Sequence, residues 1–482
     1  MSAVTRVVVI ATARPTFVVE AAEQRARAAR ELVAELGAEV TGPEQLVLTP
    51  DDAEKAAEYV DGSADLVVNV CASFSDANPA LRLYGDLGRP VLLWAFREPG
   101  EVGDRLWLNS LCGANLYGHA LVRSGGQVRL LYGDPHEDGV RTALAAALDG
   151  ELPPAPELPT VSRERGDEAH AREALDRLRG RTIGAVGDAP PGFTPCEYDP
   201  QLLEELFGLG VDAIGIDEAF ERVRDVSPSA QQEEFAAVSA DRPGLSAIDP
   251  GEVRRHAAVT SALRDVSAQR ELSAVAVRCW PEFPTQLGVC PCSSLSRLAD
   301  DGVPTQCERD VYGAVTMLLL QALGAGTTYL VDTVDLDADA GVVRLWHCGS
   351  AATELAADPA RAEQSVHCNR KIGVAGNFAL RTGPVVMARL TEDVAAAGGN
   401  TGATGNDGGT GLRLLIASGE SLPADNRFQG NTADVRLDGD AGAFVHGLVT
   451  GGFPHHTVLA WTDVRPQLRA AADLLDIPVI EW

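Results

Sequence analysis

Three side chains that could share one divalent cation stand in a single stretch, Arg278 to Ser350, each in a different setting. Glu308 precedes an amphipathic run, Val311, Val315, Leu318, Leu319 and Ala322, whose spacing predicts a helix. Asp332 interrupts the apolar, strand-like run Tyr329-Leu330-Val331, and His347 ends a second such run, Val342 to Trp346. Two carboxylates and an imidazole make a hard, mixed O/N donor set. It suits Mn²⁺, Mg²⁺ or Co²⁺ better than a thiolate zinc site does. A lone acid before a helix is commonly a cap and a lone strand aspartate a turn residue, so the combination carries the reading.

Asp337-Ala338-Asp339-Ala340-Gly341 joins the two strand-like runs with a turn-like composition. A hairpin centred near Asp339 and Ala340 sets Asp332 opposite His347, with Cβ atoms about 5 Å apart. A slip of one residue turns one of them to the other face. Far along the chain, His455 and His456 stand side by side between Phe453-Pro454 and Thr457-Val458-Leu459. Neighbours in an extended segment face opposite ways, so one imidazole reaches a given ion and the other orients it or meets a ligand.

The words RCWPEF, CE-DVYGA-TM, the aspartate of the following strand and LWHCG resemble the L-fucose/L-arabinose isomerase family, most closely its L-fucose isomerase-like branch. The resemblance continues to GGFPHHTVLAWTDVRPQL, so that the matching words span Arg278 to Trp482. It implies a divalent metal, usually Mn²⁺, and interconversion of an aldose and a ketose. It also implies that Glu308 and Asp332 both bind the ion and move protons through a cis-enediol. The resemblance makes His456 a ligand, with His347 completing the set and His455 beside them as a substrate contact. It further implies a homotrimer or homohexamer.

Asn109 stands in a word resembling the family's LNSLCG, which implies that the first domain lines an active site, often a neighbouring subunit's; helix capping is the local alternative. Trp280 and Glu282 follow a strand end where a ring could cover one face of a sugar, with core packing the alternative for Trp280. Arg309 departs from the family's glycine, and a guanidinium there could pair with Asp310 or recognise an anionic substrate. The expected substrate is therefore a fucose- or arabinose-type sugar, or a sulfonated one such as sulfoquinovose. His367, Arg370 and Lys371 are further cationic candidates, read more readily as surface residues.

The formal charge of −29 sets the chain against phosphate backbones and anionic lipid, so neither nucleic acid nor membrane is an expected partner. No run is apolar for the roughly 18 residues of a membrane span, and the first residues lack a signal peptide's pattern. Nine scattered cysteines without a CxxC pair read as reduced thiols, in keeping with a cytoplasmic protein. Two rivals stay open: a metal-dependent epimerase or lyase on the same scaffold, and a non-catalytic sugar-binding protein.

At 482 residues the chain exceeds one ordinary core. Apolar runs at 5–11, 65–71 and 90–95 alternate with helical patterns, which predicts a doubly wound α/β domain over 1–150. No GxGxxG follows the first run, so a dinucleotide is not indicated. The Pro-rich segment 149–166 reads as a linker. A second α/β domain is expected over 165–350, carrying the metal ligands. Strand-like runs at 382–390, 412–418 and 434–437 predict a smaller β-rich C-terminal domain over 351–482, with a flexible Gly-rich loop at 395–411. The fold class is thus two doubly wound α/β domains followed by a smaller β-rich one.

Overall fold

The computed structural model describes residues 5–60, 62–161, 167–394 and 410–482. Most of the Gly-rich loop and the end of the Pro-rich linker lie outside the described residues. The architecture is mixed α/β, with two parallel sheets and a larger mixed sheet built mainly from the C-terminal part.

The first sheet runs Glu39–Thr41, Arg6–Thr12, Leu66–Cys71, Val91–Ala95, Val128–Tyr132, all parallel. Its inner strands are apolar on both faces and fully buried, as a sheet covered by helices on both sides requires. Strand order reverses between Arg6–Thr12 and Leu66–Cys71. That is where doubly wound sheets open a crevice at the carboxyl ends of their strands. The short outer strands at 39–41 and 128–132 join the three expected ones.

The second sheet is also parallel, in the order Gly210–Ile214, Thr182–Val186, Leu272–Val277, Thr305–Gln306. Its last strand is only two residues long and delivers the chain directly to Glu308. The helix Val311–Ala322 follows, with Asp310 as N-cap accepting the Gly313 amide.

In the third sheet six antiparallel strands run Asn431–Leu437, Val342–His347, Tyr329–Asp337, His456–Ala460, Gly383–Glu392, Leu412–Leu422. Leu412–Leu422 then pairs back onto Asn431–Leu437, closing the ring into a barrel. Closure leaves no free edge among these six. Alternate residues divide between two apolar clusters. Tyr329, Val331, Met387, Leu415 and Leu459 share one, whereas Leu330, Ala388, Ile416 and Val458 share the other with the helix Val311–Ala322.

The hairpin Tyr329–His347, grouped by sequence with the central unit, is therefore hydrogen-bonded into the C-terminal sheet, so a boundary at 350 would cut through a barrel. Its register also differs from expectation. Pairing runs as anticipated from Asp337↔Val342 to Asp335↔Arg344, then shifts at Val334, so that Asp332 faces Trp346. The extra residue is a β-bulge, a device that re-aims side chains.

Candidate active site

Three neighbouring barrel strands and one turn bring the expected ligands together. His456 is the cross-strand partner of Asp332 on one side, and the strand ending in His347 lies on the other. The bulge does not part Asp332 from His347: donor atoms of Asp332, His347 and His456 all lie within 4.8 Å of one another. Glu308 enters from the turn after Thr305–Gln306 and forms a second such group with His455 and His456. Its Oε2 is 3.2 Å from His456 Nε2 and 3.8 Å from His455 Nε2. Glu308 sits at φ 59°, ψ 16°, a left-handed conformation uncommon outside glycine and often held at functional sites.

Behind the cluster, Asp310 accepts the Nδ1–H of His456 at 2.9 Å and is paired with Arg389, whose Nη2 lies 2.9 Å from Asp310 Oδ1. An ionised carboxylate only accepts, so Nδ1 carries the proton and Nε2 faces Glu308 and Asp332. Nε2 is 3.5 Å from Asp332 Oδ1. Asp332 Oδ1 is buried without a hydrogen-bond partner, and His456 Nε2 meets only the carboxylates of Glu308 and Asp332. Buried polar atoms are rarely left so, and donors converging from neighbouring strands are what a ligand set requires. The Asp310–His456 pair supplies the carboxylate that typically orients a metal-binding imidazole.

The two acids are set apart electrostatically. Burial pushes Asp332 up to about 7 against the pull of His456, and the Glu308 charge adds to the rise. Burial also raises Glu308, but His455 and His456 more than offset it and hold the carboxyl well below its usual range. Without a cation, and against burial, Asp310 and Glu308 raise His456 to about 10; burial lowers His347 to about 3 and His455 to about 4, with the His456 charge adding in each case, so those two imidazoles are neutral. Two further groups, Cys292/Cys348/His367 and Cys307/His347/Cys348, pair thiols with imidazoles. The Cys292 contact and burial hold the Cys348 thiol far above its ordinary value.

No protein-family profile matches the chain. Among curated proteins it is 31% identical over 475 residues to a sulfoquinovose isomerase of Alkalicoccus urumqiensis, covering 97% of each chain. It is 29% identical over 475 residues to that of Priestia megaterium, with 98% of each covered. The enzyme of the same name from a Clostridium species is 29% identical over 464 residues, 96% of this chain and 95% of the relative. The chain belongs to the sulfoquinovose isomerase family.

In this member of the sulfoquinovose isomerase family a cavity opens over the cluster, lined by Glu308, Asp332, His347 and His455, with His456 behind them. Trp280 forms part of the wall. Its Nε1 donates to Glu308 Oε1 at 3.1 Å while its ring packs edge-on against Phe193. Asn109 lines the same chain's cavity. It occupies the N-cap position of Ser110–Arg123 without capping it, and its Oδ1 is buried and unpartnered. Glu98, three residues beyond the strand Val91–Ala95, fixes it by accepting its backbone amide at 2.8 Å.

Two expected substrate contacts are not brought to the cavity. Glu282 is held in a two-pronged ion pair with Arg278. Arg309 turns away, donating to the Cys196 carbonyl at 3.0 Å and lying over the Tyr198 ring. Its φ of 59° suits the glycine that the isomerase word carries there. The sequence reading missed Asp310 as the partner of His456, although an aspartate directly before an apolar helix is a readable N-cap signal. It also missed Arg14, Phe17 and Phe74, which follow the first and third strands of the N-terminal sheet and line the cavity.

Proposed function

We propose that the chain interconverts sulfoquinovose and the corresponding 2-ketose by proton transfer between C1 and C2, with a divalent cation, Mn²⁺ by expectation, held by Glu308, Asp332, His347 and His456. It is an aldose–ketose isomerase by its family. The sequence words at 278–283, 307–317 and 345–349 support a kinship of that family with the L-fucose isomerase-like enzymes.

The observation that carries the site assignment is the convergence of Asp332, His347 and His456 in one group and of Glu308, His455 and His456 in another, joined at His456, from segments as far apart as 308 and 456. A hard O/N set of this kind fits Mn²⁺, Mg²⁺ or Co²⁺. When bound, such a cation polarises the carbonyl and stabilises negative charge on the adjacent oxygens.

The chain's own groups divide the proton work. Glu308, held ionised, takes the proton from C2 and returns it to C1. Asp332, on the other side of the cluster, serves the oxygen side as acid and then base. Asp310 locks the tautomer of His456. Trp280 orients the Glu308 carboxylate and walls the cavity. The free Oδ1 of Asn109 offers an acceptor to a sugar hydroxyl.

The test is incubation with sulfoquinovose in D₂O, followed by NMR. Ketose formation with deuterium at the exchanging carbon, abolished by EDTA and restored by Mn²⁺, is the expected result. Full turnover in the chelated protein would reject the assignment of the cation.

A further inference from the structure

Away from the carboxylates, the same cavity is lined by two guanidinia, Arg14 and Arg370. The chain carries 69 acidic against 40 basic residues, so arginines have carboxylates in excess to pair with. Among the described residues, however, neither Arg14 nor Arg370 has an ion-pair partner, and each is half-buried. Arg14 lies 4.2 Å above the Trp280 ring, the indole whose nitrogen holds Glu308. Burial lowers its pKa; the charge of Asp76 opposes this, the like charge of Arg370 adds to it, and Glu308 opposes it more weakly.

The surrounding loops are built to hold this arrangement. Arg14 follows the strand Arg6–Thr12, and its backbone amide donates to Ser73 Oγ at 3.0 Å. Arg370 lies in the connection between Gln364–Ser365 and Ala375–Gly376, where His367 Nδ1 accepts the amides of Asn369 and Arg370 at 3.2 and 3.3 Å. Those amides can only donate, so the His367 proton resides on Nε2, leaving a donor on a side chain that lines the cavity. Arg105 ties the two loops, donating to the Thr16 carbonyl at 2.9 Å and to Asn369 Oδ1 at 3.3 Å.

Resting on the sulfoquinovose reading, we propose that Arg14 and Arg370, with the Nε2–H of His367, form the subsite for the C6 sulfonate and set the preference for a sulfonated over a neutral hexose. Trp280 links the two ends of the cavity. Glu308 touches its ring nitrogen, where C1 and C2 react, and Arg14 covers its face, where the far end of the sugar lies. A sulfonate stays singly charged at any physiological pH and presents oxygens that guanidinium forks match. On a chain of net charge −29, a local cationic pair is also what lets an anion enter.

The test compares kcat/KM for sulfoquinovose and for glucose in the wild type, Arg14→Gln and Arg370→Gln. Each substitution should lower kcat/KM for sulfoquinovose about 10- to 100-fold, chiefly through KM, as loss of a charge-assisted contact does. The glucose value should fall less, so that the ratio of the two drops, and the melting temperature should stay near wild type. Arg370→Lys, which keeps the charge, should recover part of the loss and covers the case in which Arg370→Gln fails to fold. Wild-type turnover of sulfoquinovose with unchanged selectivity in the folded variants overturns the subsite alone. A wild type that converts glucose and never sulfoquinovose overturns the substrate reading, and the subsite with it.

Discussion

Asp310 Oδ2 and His456 Nδ1 meet at 2.9 Å across 146 residues of sequence, and the same carboxylate is paired with the fully buried Arg389. One aspartate thus caps a helix, neutralises a core arginine and fixes an imidazole. Asp310→Asn tests the last role. An asparagine amide can donate to Nδ1 and drive the proton to Nε2, where the proposed cation would bind. The expected outcome is a loss of Mn²⁺ affinity of about 10- to 100-fold, measured by calorimetry, with turnover recovered in part at high Mn²⁺. Unchanged affinity would reduce Asp310 to a structural group.

The same residue makes a prediction about acid. Burial raises the Asp310 carboxyl, but Arg389 and His456 more than offset it and hold it far below the ordinary carboxylate value. A depressed folded-state pKa contributes stability that is present above the unfolded value of about 4 and lost as pH falls below it. Urea melts of the metal-free protein at pH 7 should separate wild type from Asp310→Asn by about 3–5 kcal/mol, the cost of leaving Arg389 uncompensated. The gap should narrow as the melts are repeated toward pH 3. A gap independent of pH would mean that the carboxylate charge is not what stabilises this part of the core.

Glu308→Gln keeps the shape of the side chain and an oxygen for the Trp280 N–H, but it can no longer take a proton. Ketose formation should fall at least about 100-fold with the thermal transition preserved, and deuterium should no longer wash into the substrate from D₂O. Wild-type exchange in this variant would move the carbon-side proton transfer to another group.

Arg309→Gly separates a cation close in sequence to the ligands from those in the cavity. The guanidinium of Arg309 faces Cys196 and Tyr198, and its backbone sits at φ 59°. Losing the contact and relieving the left-handed backbone act in opposite directions, each by about 1 kcal/mol. The ratio of kcat/KM for sulfoquinovose to that for glucose should therefore stay at the wild-type value. A selective loss on the sulfonated sugar would return Arg309 to substrate recognition.

Much of this site was legible before any coordinates. Glu308, Asp332 and His347 announce themselves as polar interruptions at the ends of apolar periodicities, because local pattern encodes the element and which residue breaks it. What pattern does not encode is which strands become neighbours. His456 lies beside Asp332 only because its strand inserts between Tyr329–Asp337 and Gly383–Glu392, and nothing near residue 456 states that order. The bulge at Val334 was hidden for a related reason: a one-residue slip leaves alternation almost intact on a strand buried on both faces. Arg370 read as surface charge and Arg14 drew no notice, because their meaning is an absence, the lack of an ion-pair partner, which only the folded arrangement reveals.

Gly313 ties the helix to the ligand cluster sterically. A Cβ built there would lie 2.9 Å from Asp310 Oδ2 and 3.1 Å from Arg389 Nη1. Both atoms belong to an ion pair with no room to retreat, since Asp310 and Arg389 are wholly buried. Gly313→Ala would ordinarily favour a helix, since alanine is the better former. Here the added methyl must push the pair apart, at a cost of about 1–3 kcal/mol for overpacking. The pair moves with its other partner, so His456 Nε2 should also lose its aim at Glu308 and Asp332. The expected result is a lower melting temperature together with weaker Mn²⁺ binding, whereas an alanine on a neutral face of the same helix should leave both unharmed. A stabilised Gly313→Ala with full metal affinity would show that the ion pair is free to shift and that His456 does not depend on it.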